Sequence, residues 1–120
     1  MWLGLVDFSY KLLREIKVTM IQISKPVFPI GKLLATPAAM EALQEANAEI
    51  IDLVERHIAK DWGDLSDEDK KLNDEALHDG SRILSAYILD RTGVKIWIIT
   101  EATDGNGERA ATTALLPEEY

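Results

Sequence analysis

Hydrophobic spacing changes period at Gly80, and that change constrains the fold more than any other feature of the chain. Before it, apolar residues recur every three or four positions: Met40 and Leu43, then Ile50, Val54 and Ile58, with Ile51 and Leu53 widening the stripe. After it they alternate, over 82–89, 94–101 and 109–116, and the runs are separated by Asp90-Arg91-Thr92-Gly93 and by Asp104-Gly105-Asn106-Gly107. The first spacing fits one side of a helix, the second a half-buried strand. The chain therefore reads as α+β, with two or three short helices packed on one face of a three-stranded antiparallel C-terminal sheet. The sheet becomes four-stranded if the apolar stretch after Met20 adds a short edge strand; Pro26, Pro29 and Gly31 allow no more than that.

Local signals place the helix ends. Thr36 followed by Pro37 suits a cap and first helical position, Asn47 suits the cap of a helix over 48–60, and Ser66 with Asp69 has the form of a capping box for a helix over 67–78. Gly80 then stands where a left-handed residue ends a helix. Asp90 and Gly93 suit a type I turn with a glycine bulge, which pairs Asp90 with Val94. That register sets Tyr87 opposite Trp97 and Ser85 opposite Ile99. Leu84, Ala86, Ile88, Ile96 and Ile98 then form the face toward the helices, and Ser85, Tyr87, Lys95, Trp97 and Glu101 the other.

A length of 120 residues supports one core, and 47% apolar residues can fill it. Residues 20–120 read as a single domain. Residues 1–19 read as an extension, because Leu3, Val6, Tyr10, Leu13 and Lys17 lie on one side of a short amphipathic helix, or because the start is misassigned. Asp7, Lys11, Arg14 and Glu15 interrupt the apolar run, which excludes a membrane span and a signal peptide. The absence of cysteine rules out disulfides, thiolate metal sites and cysteine nucleophiles, and suits a cytoplasmic location. A net charge of -8 disfavours direct nucleic-acid binding through phosphate neutralisation.

Two sets of residues carry possible chemistry. The sheet face with Ser85, Tyr87, Trp97 and Glu101, together with the Asp61, Trp62 and Asp64 turn, offers flat aromatic surface and polar tips for a binding partner; the same aromatic pair is also ordinary cross-strand packing. His57 stands four residues before Asp61, a spacing that allows a hydrogen-bonded pair at a helix end, and it equally suits a histidine capping that end. His57 and His78 are the only histidines and have no ligand spacing around them, so no metal site and no cofactor are expected. Residues 61–79 hold eight carboxylates against two lysines. Such a stripe steers a basic protein partner, or simply solvates a helix.

The segments ATPAAMEAL (35–43), RHIAKDWGDL (56–65), LNDEAL (72–77), GSRILSAY (80–87), VKIWIITEA (94–102) and ATTALLPEEY (111–120) resemble a family of small proteins of bacterial plasmids and integrative elements. These are generically called plasmid-related proteins and are sometimes labelled a restriction-enzyme modification subunit. The resemblance covers 20–120 and brings no established activity. A methyltransferase does not fit: the chain has neither room for a doubly wound sheet nor a glycine-rich cofactor turn. The resemblance implies a non-catalytic accessory or interaction protein of a mobile element, countering a host defence such as CRISPR or restriction by binding its machinery. The competing expectation is a small metal-independent endoribonuclease of the toxin type, with His57, Arg82, Tyr87, Arg109 and Thr113 around a scissile phosphate. A structural module, with the sheet face or the 1–19 helix buried in a homodimer, is a third reading.

Overall fold

Thr36 does what a cap residue should: its Oγ1 accepts the Ala39 amide at 3.0 Å and starts helix α1, Pro37–Glu45, with the proline in the first turn. The computed structural model in which this is seen describes residues 4–7 and 27–120. Helix α2 is Ile50–Ile58 and helix α3 is Asp67–Asp79. Ser66 caps α3 through the Asp69 amide, and Gly80, at φ 82°, ends it. Asn47 is not the cap of α2. It sits two residues earlier at φ 54°, a left-handed conformation that asparagine tolerates, and Glu49 holds the cap position without a side-chain bond.

Among the described residues the sheet has five strands, β1 (Val6–Asp7), β2 (Lys32–Ala35), β3 (Ile83–Ile88), β4 (Lys95–Thr100) and β5 (Ala111–Leu115), in the spatial order β1-β2-β5-β4-β3. It is mixed. β3, β4 and β5 form the expected antiparallel meander, but β2 pairs parallel with β5 and lies inside the sheet. The expectation of a purely antiparallel sheet is corrected here. Pro29 and Gly31 fall just before β2, so the ladder loses no donor, and alternation over four residues does not stand out from the surrounding apolar run. Gly31, at φ 61°, backs onto the Arg109 and Ala110 carbonyls so closely that a Cβ would strike them. Val6 and Asp7 pair antiparallel with Ala35 and Leu34, and Gly4 and Leu5 before them are not helical, so over 4–7 the expected helix is absent; the rest of 1–19 lies outside the described residues.

The hairpin register is also corrected. Leu89 accepts the Gly93 amide at 2.7 Å and donates to the Val94 carbonyl at 2.8 Å, so four residues and not three lie in the turn. Pairing slips by one: Tyr87 faces Ile96, Ser85 faces Ile98 and Ala86 faces Trp97. A one-residue slip exchanges the two faces. Ile83, Ser85, Tyr87, Ile96, Ile98 and Thr100 therefore face the helices, while Leu84, Ala86, Ile88, Trp97 and Ile99 face the other side. Against the first face α1 brings Ala39, Ala42, Leu43 and Ala46, small residues that let it lie close over Ala35 and Ala114, and α2 brings Leu53, Val54 and Ile58. Phe28, Trp62, Ala76 and Ile83 close the end near α3.

The outer edge of β3 is sealed without another full strand. The Asn73 carboxamide of α3 accepts the Leu84 amide at 3.1 Å and donates to the Leu84 carbonyl at 2.7 Å, as a neighbouring peptide would. One pair further along, the Trp62 carbonyl accepts the Ala86 amide and the Asp64 amide donates to the Ala86 carbonyl. An exposed edge invites pairing with other chains, and this one offers little to pair with. Asn73→Ala strips partners from both Leu84 groups and is expected to destabilise the fold by about 2 kcal/mol in urea unfolding. Wild-type stability in that variant would show that Leu84 is satisfied some other way.

Candidate functional site

His57 lies in the last turn of α2, fully buried, with its ring aimed at the sheet. Its Nδ1 is 2.6 Å from Ser85 Oγ of β3 and its Nε2 is 2.8 Å from Thr100 Oγ1 of β4. Thr100 is in turn 2.7 Å from Thr112 of β5, whose hydroxyl donates to the Ile30 carbonyl at 2.8 Å. The end of this chain fixes its direction. A carbonyl can only accept, so Thr112 spends its proton on Ile30 and must accept from Thr100; Thr100 then accepts from Nε2–H, and bare Nδ1 accepts from Ser85. The ring is neutral. Burial, with a further contribution from the Arg109 charge, lowers its pKa to about 3. Phe28 meets the imidazole edge-on at 5.2 Å and Trp62 at 5.9 Å between centroids.

Serine beside histidine at this distance has the form of a nucleophile and its base. Here both side chains are fully buried and the histidine's second nitrogen is committed to Thr100, so the arrangement serves as a structural relay between α2 and three strands. The expected pair of His57 with Asp61 does not form. The Lys60 amide bonds the His57 carbonyl and the Asp61 amide bonds the Arg56 carbonyl at 2.9 Å, with Lys60 at φ 68°. This helix ending turns Asp61 away from the ring and toward Arg56, whose Nε lies 2.6 Å from it. The Arg56 hydrogen bond holds the Asp61 carboxyl below the usual range.

The other residues singled out by sequence are dispersed. The Tyr87 hydroxyl donates to the Asp61 carbonyl at 2.7 Å, Arg56 lies 4.5 Å above its buried ring, and desolvation raises the phenol's pKa. Arg109 is buried and donates to the carbonyls of Ser81 (2.7 Å), Glu101 (2.9 Å) and Ala76 (3.1 Å), fastening the end of α3 to the loop after β4. Arg82 is exposed and stacks 4.9 Å from the Tyr120 ring, which also meets Trp97 edge-on. Thr113 faces the side of the sheet opposite His57, across from Ile99. His57, Arg82, Tyr87, Arg109 and Thr113 thus share no cleft.

The binding set divides in the same way. Ser85 and Tyr87 point into the helix-side core, Trp97 lies on the second face, and the exposed Glu101 follows β4. Trp62 is buried and donates to Asp74 at 3.1 Å, while Asp64 pairs with Lys95 at 3.2 Å. Sequence reasoning missed Thr100, Thr112 and Asn73. For Thr100 and Thr112 the only signal was a polar residue at an inward step of an otherwise apolar strand; Asn73, in α3, gave none.

The exposed charge of α3 is mostly acidic. Glu68, Leu72, Glu75 and Asp79 recur along one side of α3, and Leu72 is 60% exposed among those carboxylates. A shallow depression of about 240 Å³ lies at the α1–α2 corner, lined by Met40, Leu43, Gln44, Asn47, Ala48, Glu49 and Ile50. Among the described residues no group of histidines and carboxylates is placed to hold a metal ion, and no helix is long and apolar enough to cross a membrane. No family model matches the chain, and no curated protein or solved structure is significantly similar to it.

The neutral histidine ties stability to pH. The unfolded chain takes up a proton near pH 6.5, whereas the folded ring resists it down to about 3, so between these values the unfolded state binds more protons. The stabilisation is complete above pH 6.5 and is lost as pH falls, by up to about 1.4 kcal/mol per unit. Asp61, Asp79 and Asp104 are held below the usual carboxylate range by hydrogen bonds from Arg56, from Ser81, and from the Glu108 and Asn106 amides. Urea unfolding between pH 7 and about 4.5 should show this slope in the wild type and a flatter one in His57→Gln. Equal slopes would remove His57 as the cause.

Proposed function

We propose that the chain is a non-catalytic interaction protein that binds a basic protein surface through the outer side of α3. The observation that carries this reading is Leu72, exposed among Glu68, Glu75 and Asp79 on one side of the helix. An apolar anchor flanked by carboxylates, with Lys71 the one cation beside it, suits a partner with an apolar socket in a positive field. Such fields are typical of surfaces that hold nucleic acid, and the carboxylates would stand in for phosphates there. The inward commitment of Ser85 and His57 agrees with a binding role, because the groups most suited to catalysis are used in packing.

Taken with the resemblance to plasmid-related proteins, the partner is a nucleic-acid-binding component of a host defence system, restriction or CRISPR, that a mobile element must evade. Expression of the chain in a host with such immunity should raise the establishment of an incoming targeted plasmid. The chain should also retain one defence protein in a salt-sensitive complex. Glu68→Lys with Glu75→Lys is expected to slow association on the order of tenfold or more and abolish the protection, with thermal melting unchanged. Unaltered plasmid establishment, or protection that survives the double charge reversal, would overturn the proposal.

A further inference from the structure

The loop from β4 to β5 contains two dipeptides able to cyclise, Asp104-Gly105 and Asn106-Gly107, and the structure treats them differently. Asp104 Oδ1 accepts the Asn106 amide at 2.8 Å and the Glu108 amide at 3.0 Å, and the Asp104 amide donates to the Glu108 carbonyl at 2.8 Å. Asp104 is thus locked, and the backbone donors keep its carboxyl ionised. Asn106 is exposed, and its carboxamide has no hydrogen bond among the described residues. Its neighbour Gly107 has no side chain to hinder approach, and the Gly107 amide is held only by the Asp104 carbonyl at 3.1 Å.

We infer that Asn106 is a site of spontaneous covalent modification, through a succinimide formed with Gly107. The Gly107 nitrogen, having lost its proton to solvent, bonds to Asn106 Cγ, and the Cγ–Nδ2 bond breaks with release of ammonia. Water then opens the ring at one of its two carbonyls, giving aspartate or isoaspartate. No other reactant is needed. The remaining asparagines are protected. Both carboxamide atoms of buried Asn73 are bound to Leu84, and Asn47 precedes Ala48, whose amide is bonded to the Leu43 carbonyl at 2.9 Å. The second Asp-Gly pair, Asp79-Gly80, is held as well, because Asp79 Oδ1 accepts the Ser81 amide at 2.8 Å and the Gly80 amide bonds the Ala76 carbonyl.

The modification bears on the fold at one place. Thr103 and Arg109 form the bridge that closes this loop, and Arg109 carries the three bonds that hold the end of α3. Isoaspartate lengthens the main chain by one methylene between them, so ageing of the loop loosens the Arg109 contacts; simple aspartate adds a charge without changing the backbone. This inference is independent of the proposed function.

The test is to incubate the full folded chain for days in mildly alkaline buffer at physiological temperature, then to map it by ion exchange and peptide mass spectrometry. One more acidic species is expected, with deamidation confined to the peptide carrying Asn106 and an isoaspartyl product that an isoaspartyl carboxyl methyltransferase labels. Asn106→Gln should abolish that species. The aged wild type should melt below both aged Asn106→Gln and fresh Asn106→Asp. An unmodified Asn106, or reaction at Asn47 or Asp104 in its place, would overturn the site; melting equal to that of Asn106→Gln would overturn the link to Arg109.

Discussion

A neutral imidazole with both nitrogens hydrogen-bonded joins α2 to all three strands of the meander, and its tautomer is dictated from outside the ring. The Ile30 carbonyl accepts from Thr112, and every hydroxyl upstream must then point the same way, ending with Ser85 donating to His57. Buried polar chains of this kind are worth having only when every member is satisfied, and no buried side-chain atom among the described residues is left without a partner. The chain also specifies position. An apolar helix can slide or rotate over an apolar sheet at modest cost, but His57 meets its two partners in one placement only. Placement of α2 in turn sets where Arg56 and Asp61 meet and where Trp62 begins to cover the edge of β3.

The same device recurs at the margins of the core, with backbone groups as partners. Asn73 supplies Leu84 with a substitute peptide, Arg109 gathers three carbonyls, and Glu119 accepts both the Thr36 hydroxyl at 2.7 Å and the Leu116 amide at 2.9 Å, tying the start of α1 to the C-terminal turn. In each case a side chain from one element satisfies main-chain or cap groups of another. Helices and strands too short to be stable alone are held by these crossings as well as by apolar contact. The result is a division of labour: nitrogen and hydroxyl chemistry is turned inward to define the fold and, Arg109 apart, charge is turned outward. The acidic side of α3 is left to solvent because the opposite side of the same helix, through Asn73 and Ala76, does the structural work.

Much of this was legible locally. Thr36, Ser66 and Gly80 announce helix ends because capping depends on neighbours within four residues, and the three strands of the meander follow from alternation alone. The site was less legible. His57 was visible as a titratable group near a helix end, but its partners lie 28 and 43 residues away, and the local spacing pointed to Asp61 instead. Serine and threonine on an inward strand face look in sequence like the outward polar residues of an alternating strand. Only the face they occupy tells the two apart.

The sequence by itself determined the order of elements from α1 to β5, the caps of α1 and α3, the α+β class and the acidity of α3, since each depends on residues close together in the chain. Tertiary structure decided the rest. The hairpin between β3 and β4 closes on Leu89 instead of Asp90, with a turn one residue longer than expected, and because strand side chains alternate with period two, that slip moved Ser85 and Tyr87 from the outer face to the core. β2 reached the sheet interior, parallel to β5, through contacts more than seventy residues apart. Long-range pairing of this sort is decided by which buried groups can all be satisfied together, and that is a property of the assembled core.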